Sequence, residues 1–392
     1  MSGRFGIVRT GLFLLQHVLQ RTMNPFPKIL MLAAGLIAVL PAQERNVYVG
    51  TYTNAASKGI YTFRFNSSTG KASEPALAAQ SSNPAFLALH PNNRFLYAVN
   101  ENPNGTVSAF SIDPVDGRAA LLNSVSSRGS GPCHVALDHT GRWLFAANYN
   151  SGSVAVFPVG ADGKLGQASV VQYSGSSVNR ERQGSPHAHE VVVSADNLFV
   201  LVADLGTDQV MIYRFDASNG TLTPATPGSA KTAPGAGPRH LAFGHDGGSM
   251  YVLNELAASI TAFRYGSGRL DNLQTISTLP GDFAGINTGA EIAVHPSGKY
   301  LYASNRGHDS IAVFRIDSSR GTLTAAGHVS TQGKTPRSFA IDPTGAYLLA
   351  ANQDSGTIVV FGIDGNSGGL TPSGTVVRVP TPVSLVFAAT IP

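Results

Sequence analysis

The sequence is poor in charge and in cysteine. Only 13% of its 392 residues are charged, and it contains one cysteine, Cys133. A single cysteine excludes an internal disulfide framework. The formal net charge of +4 comes from residues 1–43, which hold four basic residues and no carboxylate. Because the rest of the chain is formally neutral and has no basic stripe, we expect no nucleic-acid partner.

Long apolar runs are also missing, with one exception near the start of the sequence. The twelve-residue run Ile29–Leu40 follows Met23 and a single lysine, and it precedes the segment "LPA". It is too short to span a bilayer, and its flanks are typical of a cleaved secretory signal. We therefore predict an upstream extension at 1–22, a signal peptide at 23–42 and a mature protein at 43–392. The mature protein is expected to be periplasmic or secreted, without stable membrane insertion; an N-terminal membrane anchor is the alternative.

Glycine is abundant, with 43 residues, and so is a repeated pattern of β-branched and aromatic residues. One phrase recurs as "RFLYAVNE" (94–101) and "KYLYASNR" (299–306), with copies roughly every 50 residues. Phrases such as "PRHLAFGH" (238–245) precede it, and phrases such as "DSIAVFRI" (309–316) follow it after a polar turn. With a weaker fourth segment of the type "GTLTPA" (220–225), each unit predicts a four-stranded sheet. Such a sheet repeated at this period indicates a β-propeller blade.

The two ends of the repeat region complete each other. The repeats begin with "NVYVGTYT" (46–53), which lacks the preceding first strand, and end with "TPVSLVFAA" (381–389), which resembles that strand alone. Placing both in one blade gives seven complete blades and leaves no unpaired blade edge. We therefore predict an all-β fold: a seven-bladed β-propeller whose ring is closed by the C-terminal strand joining the N-terminal blade.

Functional residues are expected along the first strands, because these line the central channel of a propeller. We align them on the second residue after the recurring proline, or on its nearest counterpart. The aligned residues are Phe86, His134, His189, His240, Glu291 and Ser338. The type of residue changes from blade to blade at this position, while the flanking apolar pattern stays the same, and Arg239 next to it adds a charge. We therefore predict that ionisable groups converge on one cavity here. The asparagine that recurs at the end of the second strands is interpreted as structural, since turn chemistry explains it.

The segment "RERQGSPHAHE" (180–190) concentrates ionisable residues in one place. It ends a long inter-blade loop at about 166–186 and enters a first strand, so an arginine of the loop is expected above the channel and His187 and His189 inside it. The two histidines permit a metal site, but the neighbouring arginines disfavour a bound cation. A serine or cysteine nucleophile paired with its base has no recognisable local signature, and Cys133 is interpreted as a packing residue. What remains is acid–base chemistry on a small anionic or polar substrate anchored by arginine.

The phrases "FLALHPNNRFLYAVNE", "PRHLAFGHDGGSMYVLNEL" and "ERQGSPHAHEVVVSADNLFVLVADLGTD" (181–208) carry a family resemblance. They are similar to the seven-bladed propeller lactonases, which include bacterial 6-phosphogluconolactonases of propeller type and are related to the fungal 3-carboxy-cis,cis-muconate lactonizing enzyme. The similarity covers about residues 46–388. It implies hydrolysis of a lactone, or the reverse ring closure, without a required cofactor or metal.

The resemblance also implies roles for individual residues. Arginines hold the carboxylate or oxyanion, and His189 or Glu291 activates water. The catalytic set it implies is His189, Arg239, Glu291, Arg182 and Asp204. The substrate-binding set is His134, His187, His240, Glu255 and Arg306.

Three alternatives remain open at this point. They are a noncatalytic binding propeller, a muconate-type lactonizing cycloisomerase, and a metal-dependent hydrolase centred on His187 and His189. The expected substrate is a small sugar-acid or related lactone, and the expected state is a monomer. Export would place the protein where a phosphorylated sugar intermediate is scarce, which favours an unphosphorylated lactone.

Overall fold

The computed structural model describes residues 44–54 and 56–390, and all regular secondary structure within them is β-strand. The predicted upstream extension (1–22) and signal peptide (23–42) lie outside the described residues. In the described part of the chain, no helix is long and apolar enough to cross a membrane.

The strands follow the sequence repeat. Those of the first four blades are β1 (Glu44–Thr51), β2 (Gly59–Asn66), β3 (Lys71–Ala72), β4 (Ala76–Gln80), β5 (Pro84–Leu89), β6 (Phe95–Asn100), β7 (Thr106–Ile112), β8 (Ala119–Ser126), β9 (Pro132–Leu137), β10 (Trp143–Asn148), β11 (Ser153–Pro158), β12 (Ser169–Gln172), β13 (Ala188–Val193), β14 (Phe199–Asp204), β15 (Gln209–Asp216) and β16 (Thr221–Lys231). Those that follow are β17 (Pro238–Phe243), β18 (Ser249–Asn254), β19 (Ser259–Gly266), β20 (Arg269–Ser277), β21 (Thr288–Val294), β22 (Tyr300–Arg306), β23 (Ser310–Ile316), β24 (Leu323–Ser330), β25 (Pro336–Ile341), β26 (Tyr347–Asn352), β27 (Thr357–Ile363), β28 (Leu370–Arg378) and β29 (Pro382–Thr390).

These strands form seven antiparallel sheets, which confirms the predicted seven-bladed β-propeller. Blades 2 to 7 each use four consecutive strands, beginning at β5, β9, β13, β17, β21 and β25. Blade 1 combines the two ends of the described chain: β29 pairs antiparallel with β1, for example Val49 opposite Leu385. The predicted closure of the ring by the C-terminal strand is therefore confirmed, and blade 1 receives its innermost strand from the C-terminal end.

The core lies between the blades. Seven clusters of buried apolar side chains occur, one at each contact between neighbouring blades, including the contact of blade 7 with blade 1. The second strand of a blade is enclosed on both faces, so β6 (FLYAVN) is buried at all six residues. A strand that is buried on both faces has a continuous apolar run instead of alternating apolar and polar residues.

Candidate functional site: a pocket at the mouth of the propeller channel

Every first strand carries a β-bulge near its beginning, which sets two successive side chains toward the channel. In blade 5, Pro238 faces Asn254 and His240 faces Leu253, so Arg239 is the extra residue. A bulge inserts one residue and re-aims its neighbours. The extra residues, which we call the bulge ring, are Ala85, Cys133, His189, Arg239, Ala290, Arg337 and Val383. The residues after them, which we call the floor ring, are Phe86, His134, Glu190, His240, Glu291, Ser338 and Ser384.

Strand pairing corrects the expected alignment in blade 4. There Ala188 faces Asp204 and Glu190 faces Ala203, so His189 is the bulge residue. Aligning His189 with His134 and His240 is therefore wrong by one residue, because no proline begins β13 to mark the register. His189 instead shares its position with Arg239, and Glu190 belongs to the floor ring.

A third set of residues lies at the ends of the second strands. Each member directly follows the recurring asparagine or the residue at the same position in its blade. These residues, which we call the rim, are Tyr52, Glu101, Tyr149, Leu205, Glu255, Arg306 and Gln353. A pocket of about 320 Å³ opens between bulge ring and rim. Its lining residues are Glu101, Cys133, Tyr149, Arg182, His189, Glu255, Thr288, Arg306 and Arg337. No floor-ring residue is among them.

One side of the pocket is organised around Glu255. Its Oε1 accepts from Arg182 Nη2 at 2.6 Å, and its Oε2 lies 3.0 Å from Arg306 Nη2 and 3.1 Å from Arg239 Nε. Burial alone would raise the pKa of Glu255, but Arg306, Arg239 and Arg182 together lower it to about 2. Glu255 is therefore a fixed anion, and it holds three guanidinium groups in place. Arg182 and Arg306 reach the pocket, whereas Arg239 is buried behind them.

The other side of the pocket is built from Arg337, Tyr52 and Glu101. Arg337 Nη2 donates to the Tyr52 hydroxyl at 2.7 Å, and that hydroxyl lies 2.7 Å from Glu101 Oε2. The Arg337 guanidinium also lies over the Tyr52 ring, 5.2 Å from its centroid. Burial raises the pKa of Glu101, against the opposing effects of Arg337 and of the Tyr52 hydrogen bond. This carboxyl differs from Glu255, whose carboxylate pairs directly with three arginines, because Arg337 is linked to it only through the Tyr52 hydroxyl.

His189 is a neutral base candidate. Its side chain lines the pocket and packs edge-on against Tyr149, with centroids 5.6 Å apart. Burial, reinforced by Arg239, holds the pKa of His189 well below its usual value. Its buried Nδ1 has no hydrogen-bond partner within the described residues. A neutral imidazole that lines the pocket beside arginines can accept a proton from water.

The floor ring closes the channel beneath the pocket. Phe86 lies 4.1 Å from His134 and 5.9 Å from His240 between ring centroids, although blades 2 and 5 are not neighbours. His134 Nε2 lies 3.2 Å from Glu190 Oε1, and His240 Nδ1 lies 2.7 Å from Glu291 Oε1. These side chains therefore meet on the axis and form a packed layer. Burial raises the pKa of Glu291 to about 7.

The structure separates the loop residues into two roles. Arg182 reaches over the pocket from the 166–186 loop, as predicted, and also donates to Tyr149 Oη at 3.2 Å. The loop is anchored by Gln183, whose Nε2 donates to Leu205 O at 2.9 Å and to Asp208 Oδ1 at 2.8 Å. His187 does not line the pocket; its ring stacks on Tyr149 at 4.5 Å and its Nδ1 lies 2.9 Å from Tyr149 O.

Asp204 lies away from the pocket lining, although the family resemblance places it in the catalytic set. Strand pairing puts Asp204 at the position of the recurring asparagine, one residue before the rim. Its Oδ1 accepts from the backbone N–H of His187 at 2.6 Å and of Gly206 at 3.0 Å, and its Oδ2 accepts from Thr207 Oγ1 at 2.8 Å. These bonds occupy the carboxylate in a turn, so its observed environment is structural.

The predicted site residues thus fall into three groups. Arg182, His189, Glu255 and Arg306 line the pocket. Arg239, His134 and His240 are buried around or beneath it, and Glu291 is half-buried beneath it. His187 and Asp204 brace the loop and the turn. The sequence analysis did not assign Glu190, Tyr52, Glu101, Tyr149 or Arg337 to the site. The sequence did contain an indication for Arg337, since it occupies the same place in "PRSF" as Arg239 does in "PRHL". Within the described residues, no group of three or more His, Cys, Asp and Glu side chains is arranged to hold a metal ion.

Comparisons with known proteins agree with this architecture. The family model for "Lactonase, 7-bladed beta-propeller" matches residues 46–387. A 6-phosphogluconolactonase of Bacillus subtilis is 39% identical over 296 residues, covering 74% of this chain and 83% of that protein. A 6-phosphogluconolactonase of Formosa agariphila is 34% identical over 301 residues, covering 75% and 85%.

Among solved structures, the periplasmic gluconolactonase of Pseudomonas aeruginosa is 36% identical, with a TM-score of 0.84. The match covers 88% of this chain and 99% of that one. The repeat, the closed ring and the match over nearly all described residues lead to one conclusion: the chain belongs to the lactonase family of seven-bladed β-propellers.

Proposed function

We propose that the protein is a lactone hydrolase of the 6-phosphogluconolactonase type, acting on small sugar-acid lactones in the pocket at the channel mouth. The observation that carries the proposal is that His189, held neutral by burial, lines the same pocket as an arginine cluster that Glu255 fixes in place. Relatives that are 34–39% identical are named as 6-phosphogluconolactonases, which supports the reaction type.

Water activation falls to His189 in this proposal. As a water molecule attacks the lactone carbonyl carbon, His189 accepts one of its protons. The low pKa of this buried histidine keeps the base deprotonated at neutral pH. Glu291, the other predicted base, lies in the floor layer and is engaged by His240 at 2.7 Å and by Ser338 Oγ at 3.2 Å. Its position supports the floor rather than contact with substrate.

The arginines stabilise the charge that develops on the carbonyl oxygen. Arg306 lines the pocket, and its Nη2 is oriented by Glu255 at 3.0 Å and by Gly289 O at 2.8 Å. Donors held in place before the reaction stabilise an oxyanion without reorganising during it. Arg239, which the resemblance places on the substrate, instead supports Glu255 from behind. Arg182 and Arg337 supply further positive charge at the pocket for a carboxylate, phosphate or hydroxyl-rich group.

The proposal is tested by assaying proton release from glucono-δ-lactone and 6-phosphogluconolactone with purified protein, after subtraction of spontaneous hydrolysis. We expect turnover of at least one of them, a loss of roughly 100-fold or more in kcat for His189→Gln, and a similar loss for Arg306→Met. His245→Ala is the matched control, because His245 lies in the turn between β17 and β18, outside the pocket. Absence of turnover by folded wild-type protein, or full activity of His189→Gln, would reject the proposal.

Export to the periplasm is part of the same proposal. A structural relative that is 36% identical is described as periplasmic, and residues 23–42 have the pattern of a signal peptide. The test is fractionation of cells expressing the full sequence, followed by N-terminal sequencing. We expect periplasmic protein whose first residue is close to 43. A cytoplasmic protein that retains residues 23–42 would contradict export.

A further inference from the structure

Opening a lactone requires two proton movements, and the groups discussed so far provide for only one. His189 removes a proton from the attacking water. The ring oxygen that leaves must gain a proton, because an alkoxide is a poor leaving group at neutral pH. Arg337 supplies positive charge for substrate binding, but Glu101 and Tyr52 have no role in the steps described above, although Glu101 lines the cavity.

The direction of the hydrogen bonds on that side is fixed by donor chemistry. A guanidinium has no acceptor, so Arg337 Nη2 donates and the Tyr52 oxygen accepts at 2.7 Å. The single Tyr52 proton is then directed to its other neighbour, Glu101 Oε2, at 2.7 Å. That leaves Glu101 Oε1 as the carboxyl atom without a hydrogen bond inside the described structure. Glu101 itself is only partly buried, on the surface of the pocket.

The position of Glu101 suits a donor rather than a second base. It occupies the rim of blade 2, and His189 belongs to blade 4, with Tyr149 and Cys133 of blade 3 between them along the pocket wall. A lactone bound between these blades presents different sides to the two groups. Burial also favours the protonated carboxyl, since it raises the pKa of Glu101. Two titratable groups driven in opposite directions by their surroundings are the usual arrangement of an acid and a base.

We propose that Glu101 is the general acid of this pocket: its Oε1 protonates the leaving ring oxygen, while Tyr52 and Arg337 hold the carboxyl in place. The inference rests on the proposed lactonase function and adds a catalytic residue to it. Tyr52 is a positioning residue, because it acts through Glu101.

The proposed step balances as follows. Water forms a bond to the carbonyl carbon and gives one proton to His189. The bond from that carbon to the ring oxygen breaks, its electron pair goes to the ring oxygen, and the proton of Glu101 Oε1 moves there to give a hydroxyl group. The product acid ionises, and proton exchange with solvent restores neutral His189 and protonated Glu101. One lactone and one water become one hydroxy-carboxylate and one proton.

The test compares two leaving groups on one scaffold. Wild type and Glu101→Gln are assayed on a sugar-acid lactone and on the same lactone with sulfur in place of the ring oxygen. A thiolate leaves without prior protonation, so only the oxygen lactone needs the acid. We expect Glu101→Gln to lose roughly 100-fold or more in kcat on the oxygen lactone and less than about fivefold on the sulfur analogue. KM should change little on either substrate.

Several results would overturn the inference, and they separate it from the proposed function. Equal losses on both substrates would show that Glu101 has a structural role, while the lactonase proposal would stand. Full activity of Glu101→Gln on the oxygen lactone would also remove Glu101 from catalysis. No activity of wild type on either substrate would reject both proposals.

Two further variants protect the test against misfolding. Tyr52→Phe keeps the ring and the carboxyl, and we expect a smaller kcat loss that is again confined to the oxygen lactone. Glu44→Gln is the matched control, because this glutamate lies at the start of β1 in an exposed pair with Arg64 at 3.9 Å. It should retain wild-type activity on both substrates. If Tyr52→Phe lost activity equally on both, the positioning role of Tyr52 would be wrong.

Discussion

Glu101 and Glu255 occupy the same rim position in blades 2 and 5, and both line one pocket. Their chemistry differs. Three arginines lie within 3.1 Å of the Glu255 carboxylate and lower its pKa to about 2. Glu101 is hydrogen-bonded to a tyrosine, with one arginine behind it, and burial raises its pKa. The repeat supplies the same position twice, but the neighbouring blades determine whether a carboxyl stays charged there.

The largest expected effect comes from removing the charge at the Glu255 position. Glu255→Gln leaves three buried or half-buried guanidinium groups without their anion, so we expect the free energy of unfolding to fall by about 3–5 kcal/mol. Burial favours the neutral form of Glu101, and a neutral amide can take its place. Glu101→Gln should therefore lower the free energy of unfolding by about 1 kcal/mol or less. Urea denaturation followed by fluorescence of Trp143, the single tryptophan, measures both. Equal losses would show that the two positions are energetically alike.

The second prediction concerns acid stability. The folded pKa of Glu255, about 2, lies below its ordinary value of 4.5, so this carboxylate stabilises the fold above pH 4.5. The stabilisation should be lost progressively between pH 4.5 and 2, by about 3 kcal/mol. We expect the pH dependence of unfolding over this interval to be weaker in Glu255→Gln and unchanged in Glu101→Gln. An identical pH dependence in Glu255→Gln and wild type would contradict the ion-pair assignment.

The third prediction separates the two sides by their arginines. Arg337 opposes the rise in the pKa of Glu101 that burial causes. Arg337→Met should therefore move the alkaline limb of the kcat profile to higher pH, since Glu101 then stays protonated longer. Arg306→Met, on the Glu255 side, should reduce activity but leave that limb in place. A shift in the opposite direction would show that the limb does not report Glu101.

The smallest expected effect compares two rim tyrosines. Tyr149 and Tyr52 each accept a hydrogen bond from an arginine, Arg182 and Arg337, but the structure shows only Tyr52 beside a carboxyl. Tyr149→Phe should change KM by less than about threefold, the value of one weak hydrogen bond. Tyr52→Phe should reduce kcat by roughly tenfold through Glu101. Steady-state kinetics on one lactone distinguishes them, and a larger kcat loss in Tyr149→Phe would reverse the assignment.

The fold could be predicted from the sequence because each blade repeats the same three phrases, and because the incomplete phrases at 46–53 and 381–389 complement each other. Those phrases encode strands that are buried on both faces and turns that recur. Glu255 and Arg306, which the family resemblance placed in the substrate-binding set, line the candidate pocket. Each follows a copy of the recurring asparagine.

The rest of the site depends on features that the phrases do not encode. A bulge shifts the register by one residue, and no proline begins the first strand of blade 4 to mark that shift, so His189 was aligned with the wrong ring and Glu190 was overlooked. Asp204 differs in type from the recurring asparagine but shares its position; the family resemblance implied a catalytic role, whereas in the structure its carboxylate accepts hydrogen bonds within a turn. The pairing of each arginine with a carboxylate depends on residues from different blades, which are distant in the sequence and come together only in the fold.

The closure of the ring has a consequence for when the pocket exists. Tyr52 directly follows β1, yet its backbone is tied to Thr381, just before β29, by hydrogen bonds of 3.3 Å from its N–H and 2.5 Å to its carbonyl. The side of the pocket that carries Glu101 is thus assembled by both ends of the described chain. During translation, a nascent chain that stops before β29 can hold the arginines around Glu255 but not a complete rim. We therefore expect enzymatic competence only once the last strand has been synthesised and has joined blade 1.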